Sequence, residues 1–432
     1  MNIGIFSDCY LPTPNGVSRS VHHLKEGLEA RGHRVVLVTP AGFQGARLGE
    51  RGEQRGGPRG DRFPRSDRLD GFRKNPGRPE ETRTYRVPSF PFNRSLSLNI
   101  GLATAAAMRW IVYEEGLEII HTHTEFSIGR AARRAGLDLG IPIVHTFHTM
   151  YEDYRHYLPL GILIPAAAVR RWIGGFLQPY RAVVCPSAKS RFYLRGILPR
   201  DTTVRIPNGI ELPMPPQESA VSADPARRAL SVVTPGGSLT IRRSPSDKVL
   251  LYAGRLSPEK RSAQLLAALV PLLERRHDTV LLLVGGGSSR KQLEGAVRRH
   301  GLQDRILFAG ILPHRQLQAL YAAADIFVTA ALSENHPLTL LEAAAAGLPL
   351  VVREDPGCLE VVRKDYNGLR LPSDGDISPE VSRLLDDSGR LKRFREKSLS
   401  AARSYDRDIQ AVRMEELYRL CLSKARMSRH SA

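Results

Sequence analysis

The chain has 432 residues, enough for two or three domains, and a hydrophobic fraction of 42% supports a packed core. No apolar run reaches the ~18 residues that span a bilayer, which excludes a membrane-crossing segment and leaves only peripheral contact with a membrane. The formal net charge of +19 favours anionic partners: nucleic acid, an anionic membrane surface or phosphorylated substrates.

Residues 1–39 read as strand, loop, helix and strand, a βαβ unit that calls for a parallel sheet. Ile3 already starts a strand, so no signal peptide is expected. The loop lacks a full G-x-G-x-x-G, which lowers any dinucleotide reading, but Gly16 sits where a βα turn needs conformational freedom. Residues 42–86 are rich in Arg, Gly, Asp and Pro and read as a disordered insertion. Arg/Gly runs bind RNA or anionic surfaces in some proteins, but acidic residues are interspersed here and aromatics are few, which favours a solvated tether. Residues 87–116 resume the fold as an extended piece and a helix bearing Trp110.

Two strands then end in polar loops rich in histidine. Residues 118–129 carry His121, Thr122, His123, Thr124 and Glu125; residues 141–154 carry His145, His148, Tyr151, Glu152 and Asp153. Strand ends are where ligands bind in open α/β sheets. One such histidine is often structural, and clustered histidines with carboxylates also raise metal ligation. Residues 158–184 contain apolar runs around Arg170, Arg171 and Trp172. That stretch suits a core helix or one lying in a membrane interface, and Trp172 beside two arginines tips the balance to the interface. Residues 213–247, rich in Pro, Ser, Ala and Arg, read as an interdomain linker.

A second βα series starts at Lys248. Its first strand runs into a loop with Arg255 and Lys260, which provide a forked donor and a point charge suited to a diphosphate. A glycine loop at 285–287 and a strand ending at Gly310 follow. Residues 333–349, SENHPLTLLEAAAAGLP, bring Glu334 in the loop leaving a strand and Glu342 inside the next helix. The free N–H groups of that helix offer a phosphate site, and a neighbouring carboxylate accepts hydrogen bonds from sugar hydroxyls. A lone pair of glutamates at this spacing is ordinarily solvated. The small residues Ala343 to Ala346 imply close packing behind Glu342 instead. The four cysteines, Cys9, Cys185, Cys358 and Cys421, have no metal or disulfide spacing and are expected as buried free thiols in a reducing cytosol.

The E-x7-E run at Glu334 and Glu342, with GRLSPEK ending in Lys260, resembles glycosyltransferase family 4, retaining enzymes of the GT-B fold. HTHTEFSIG and HTFHTMYEDYRHYL are similar to the diacylglycerol glucosyltransferases within it. The resemblance implies two Rossmann-like, doubly wound domains facing each other across a cleft. It divides the chain into an acceptor domain at 1–212, the linker at 213–247, a nucleotide-sugar domain at 248–405 and a helix at 406–432 crossing back to the first domain. It implies a donor site of Gly16, Arg255, Lys260, Gly310, Glu334, Leu338, Thr339 and Glu342, with Glu334 on the transferred sugar, Glu342 on the ribose and the base near Gly310. It also implies that His123 lies beside the acceptor hydroxyl and is catalytic together with Glu334, with His148 and Tyr151 joining it on the acceptor side. The family works without a metal, so no cofactor is expected. Pro337 stands where the family commonly has glycine, and proline has no N–H for the diphosphate. The implied reaction moves a hexose, with UDP-glucose the expected donor, onto a diacylglycerol-type lipid at the inner face of the cell membrane. Two alternatives stay open: a soluble enzyme of the same fold with a sugar or small-molecule acceptor, and a non-catalytic Arg/Gly-rich RNA-binding protein.

Overall fold

Short apolar runs of Val, Ile and Leu, each closed by a polar or glycine-marked turn, build two parallel sheets with helices on both faces. The computed structural model of the chain describes residues 1–13, 15–41, 73–74, 83–93, 98–157, 163–212, 229–234, 237–242 and 247–430.

The first domain begins with strand Asn2–Phe6 (β1), helix Gly16–Ala30 (α1) and strand Arg34–Pro40 (β2). Strands Arg73–Lys74 (β3) and Thr84–Val87 (β4) follow, then the hairpin Ser89–Asn93 (β5) and Leu98–Gly101 (β6) and helix Ala105–Glu114 (α2). Ile119–Thr122 (β7), Ser127–Leu139 (α3), Ile143–Thr146 (β8), Ala166–Leu177 (α4), Ala182–Cys185 (β9), Ala188–Arg195 (α5) and Thr203–Arg205 (β10) complete it. Its sheet runs β10-β9-β8-β7-β1-β2-β4-β3, parallel except at the β3–β4 edge.

A hairpin of Ala229–Thr234 (β11) and Gly237–Arg242 (β12) precedes the second domain. That domain is built from Lys248–Ala253 (β13), Ser262–Arg275 (α6), Thr279–Val284 (β14), Arg290–Arg299 (α7), Ile306–Gly310 (β15) and His314–Ala323 (α8). It continues with Ile326–Thr329 (β16), Leu338–Ala345 (α9), Leu350–Arg353 (β17), Gly368–Leu371 (β18), Ser378–Asp386 (α10) and Ser388–Ala402 (α11). The second sheet is parallel throughout, in the order β15-β14-β13-β16-β17-β18. In both sheets the strand order reverses beside the first strand of the domain, which opens a crevice at the strand ends.

The last helix, Arg407–His430 (α12), leaves the second domain through a bridge between Ile210 and Asp406. Its Ala411, Met414, Leu417, Tyr418 and Cys421 join Ile3, Ile5, Val21 and Leu24 in the core of the first domain. All four cysteines are buried and free.

Two expectations shift at the edges. The insertion read at 42–86 falls mostly outside the described residues, and its last three residues belong to β4, where Tyr85 is fully buried beside β2. The arginines that flank Tyr85 hid a core strand. The linker read at 213–247 contains the β11–β12 hairpin, in which the β-branched run Val232, Val233, Thr234 pairs with Leu239, Ser238 and Gly237.

Candidate active site

The two crevices face each other and enclose one cavity of about 1330 Å³. Gly16, His123, His148 and Tyr151 line it from the first domain; Arg255, Lys260, Glu334, Leu338, Thr339 and Glu342 line it from the second. Gly310 is the one expected donor residue absent from the wall, and its neighbours Ile311, Leu312 and Pro313 take that place.

The second-domain half carries the cations Arg255 and Lys260 beside the carboxylates Glu334 and Glu342. The strand β13 delivers Arg255 to the cleft, and the short 3-10 helix Pro258–Lys260 turns Lys260 inward. Lys260 Nζ donates to Glu334 Oε1 at 2.7 Å. Burial works against the Lys260 ammonium, yet Glu334, with Tyr154 and Tyr252, holds its pKa above the usual lysine value. Arg255 reaches Glu259 at 3.4 Å, and Ser257 Oγ anchors that carboxylate at 2.7 Å.

Helix α9 opens at Pro337, whose carbonyl accepts from Leu340 and Leu341 at 3.1 and 3.3 Å. Pro337 sits at the cap, just outside the helix, so the amides of Leu338 and Thr339 are the first-turn donors that line the cavity. Ala343 and Ala344 behind them are fully buried, which accounts for the small residues after Glu342. Glu342 is 8% exposed and takes a bond from Tyr321 OH at 3.2 Å. Arg19 of α1 approaches its Oε1 at 2.9 Å as an ion pair, yet that oxygen has no well-directed hydrogen bond among the described residues. Burial raises the Glu342 pKa, with Arg19 and Tyr321 opposing the rise. The glycine loop after β14 packs against backbone. A Cβ on Gly285, at φ +135°, would lie 1.9 Å from the Gly254 carbonyl.

The first-domain half is built from the ends of β7 and β8. His123 Nδ1 and His148 Nε2 share a hydrogen bond of 3.0 Å. His123 Nε2 is buried without a partner among the described residues. Burial drives the His123 pKa well below the ordinary histidine value, aided by His121 and His148, so the ring is neutral near pH 7. In the tautomer whose Nδ1–H donates to His148, Nε2 keeps a lone pair for a hydroxyl proton. The other histidines within β7 and β8 are spoken for. His121 pairs with Tyr418 OH at 2.6 Å and Thr146 Oγ1 at 2.8 Å, and His145 pairs with Thr122 at 2.8 Å and Glu125 at 3.1 Å. Tyr151 OH donates to Glu125.

Near Tyr151 the wall is apolar and aromatic: Phe126, Met150, Ile164, Ala168, Val169 and Trp172. Trp172 stands edge-on to Tyr151 at 5.3 Å with the Arg130 guanidinium 5.6 Å above it. The Arg170–Arg171–Trp172 run is therefore not one free surface. Arg170 is tied to Glu152 by bonds of 2.8 and 3.3 Å, Trp172 is wall, and Arg171 is exposed.

The sequence reading missed Arg19, His314 and Asn335, all of which line the cavity. Arg19 also meets His314 Nε2 at 2.7 Å. The only available signal was position: Arg19 lies one turn after Gly16, and Asn335 follows Glu334.

A family described as Glycosyltransferase Family 4 matches residues 14–212, and one described as Glycosyl transferases group 1 matches residues 241–400. An alpha-monoglucosyldiacylglycerol synthase of Streptococcus pneumoniae is 30% identical over 387 residues, covering 89% of this chain and 78% of the relative. A protein of the same name from Acholeplasma laidlawii is 26% identical, covering 97% and 96%. A GDP-mannose-dependent alpha-mannosyltransferase of Mycolicibacterium smegmatis is also 26% identical, covering 87% and 85%. Among solved structures, a sucrose-phosphate synthase from Thermosynechococcus elongatus superposes with a TM-score of 0.70 at 19% identity, covering 98% of this chain and 100% of the other. Anabaena HepE in complex with UDP-glucose follows at 0.67 and 16%, covering 96% and 99%. With family matches on both domains and a relative this similar over most of its length, the chain belongs to glycosyltransferase family 4 and is a glycosyltransferase of the GT-B fold.

Proposed function

We propose that this enzyme transfers glucose from UDP-glucose to a diacylglycerol-type membrane lipid, with the anomeric configuration retained. The observation that carries the reading is the make-up of the cavity between the two domains. Its second-domain half presents Arg255, Lys260 and the first-turn amides of α9 beside two carboxylates, while the first-domain half passes from His123 to an apolar, aromatic wall suited to a lipid. The relatives named as alpha-monoglucosyldiacylglycerol synthases support the same acceptor.

In this reading the diphosphate lies against Arg255, Lys260 and the first-turn amides of α9, which stabilise the charge that grows on it as the bond to the sugar breaks. Glu342 accepts from the ribose hydroxyls and Glu334 contacts the glucose. The lipid hydroxyl bonds to the anomeric carbon as the carbon–oxygen bond to UDP breaks, and its proton leaves within reach of His123 Nε2. These groups supply the positive charge, so the reaction needs no metal. Among the described residues no helix is long and apolar enough to cross a membrane, and the enzyme works as a peripheral protein on the inner face of the cell membrane.

The deciding experiment incubates the protein with a panel of nucleotide-sugars and mixed lipid vesicles, with and without a chelator, and reads the products by mass. A glucosylated diacylglycerol from UDP-glucose is expected in both. Transfer only to soluble sugars would replace the lipid acceptor.

A further inference from the structure

We infer that Asn335 is a positioning residue that sets the register between the two domains at the point of sugar transfer; this builds on the reading of Glu334 as the sugar contact and His123 as the acceptor contact. Asn335 follows Glu334 directly, lines the cavity and is 7% exposed. Its amide is spent wholly on the other domain. Nδ2 donates to the main-chain carbonyls of Phe147 at 2.9 Å and His148 at 3.2 Å. Oδ1 accepts from Ser187 Oγ at 2.6 Å.

The three partners dictate the side chain. Two carbonyls require donors and one hydroxyl requires an acceptor, and a primary amide carries both on one short stem. A carboxylate of the same size would face two carbonyl oxygens without a hydrogen. An alanine would take the donor from both carbonyls, while Ser187 Oγ would keep only its Ser190 partners.

The position matters because of what flanks it. On one side, Glu334 takes the bond from Lys260 at 2.7 Å. On the other, His148 holds His123 at 3.0 Å. Asn335 thus completes an unbroken run from the cation of the donor half to the imidazole of the acceptor half. Neighbouring contacts strengthen the same seam: Lys189 Nζ donates to the Glu334 carbonyl at 2.8 Å and to Asp355 at 2.7 Å, both across the cleft.

Transfer requires the acceptor oxygen and the anomeric carbon to sit about 3–3.5 Å apart, and a misplacement of ~1 Å costs on the order of 100-fold. Those two atoms are held by different domains, so the closed register decides the rate. A seam that closes badly also admits water, which then attacks the anomeric carbon and releases free glucose and UDP.

The test compares the full-length parent, N335A and the isosteric N335D. Turnover of UDP-glucose with diacylglycerol vesicles should fall on the order of 10- to 100-fold, more in N335D than in N335A. The share of glucose released to water should rise, while UDP affinity by calorimetry stays at the parent value. Small-angle scattering with UDP bound should show a larger radius of gyration for N335D. Unchanged turnover and hydrolysis share, or a fall in UDP affinity that parallels the fall in turnover, would overturn the assignment. So would parent-like scattering from N335D. A parent that makes no glucosyl-lipid defeats the proposed function instead, and the scattering comparison then decides this inference by itself.

Discussion

Arg19 of the first domain lies 2.9 Å from Glu342 of the second, so the carboxylate assigned to the donor ribose is already answered from across the cleft. Burial pushes the Glu342 pKa up and Arg19 holds it down. A carboxyl whose folded pKa is raised contributes stability at low pH that is lost as pH rises through the folded pKa. Removing the guanidinium raises that pKa further. Arg19→Met should therefore lose stability more steeply than the parent as pH climbs from the ordinary carboxylate range towards neutrality. Thermal unfolding measured across that window checks it; parallel curves for the two proteins would remove Arg19 from the account of Glu342.

Lys260 and Arg255 should each matter to UDP. Losing a charge-assisted contact costs roughly 1.5–3 kcal/mol, and Lys260→Ala also strips Glu334 of its 2.7 Å partner. Calorimetry with UDP should show weaker binding for both Lys260→Ala and Arg255→Ala. Parent-like affinity in both variants would dismiss the diphosphate assignment.

His123→Ala should separate chemistry from donor binding. A positioned base is worth about 100- to 10,000-fold, so turnover should fall in that range while UDP affinity holds. Burial keeps His123 neutral, and His148 is pushed down to about 3 by the same cause. The rate should then show no limb near the ordinary histidine pKa as pH falls. A limb there that vanishes in His123→Ala would mean that the ring is solvated and titrates normally.

Membrane docking should depend on the rim of the apolar wall. Leu163 is 75% exposed and Arg171 is exposed, while Arg170 and Trp172 are engaged within the fold. Each basic residue near an anionic surface adds about 1 kcal/mol, within a Debye length of ~10 Å. Leu163→Ser with Arg171→Ser should reduce sedimentation with anionic vesicles and leave unfolding unchanged. Trp172→Ser should lower the melting temperature instead. Equal binding of the parent to neutral and anionic vesicles would count against an electrostatic dock.

What the sequence revealed was local. Arg255 and Lys260 share one strand-to-loop turn, and Glu334 and Glu342 belong to one loop and helix, so each pair could be placed locally, while the family resemblance joined the two pairs in one donor site. The histidine-rich ends of β7 and β8 could be placed for the same reason. Contacts across the cleft could not. Arg19 meets a residue far along the chain, and the Asn335 amide finds carbonyls whose positions depend on how two finished domains dock. Gly310, paired with Val284 at the end of β15, ended one residue short of the wall that Ile311 begins.

Helix α12 has a consequence for how the protein is made. Met414, Tyr418 and Cys421 close the core around Ile3, Ile5 and Leu24, and Tyr418 OH satisfies the buried His121. During synthesis the first domain emerges from the ribosome with that face of its sheet incompletely covered. Its last wall is translated after the whole second domain. Until then the nascent first domain presents an apolar groove and a histidine lacking its tyrosine partner, so chains that stall before Arg407 should leave exposed to aggregation the very surface that later joins the two halves.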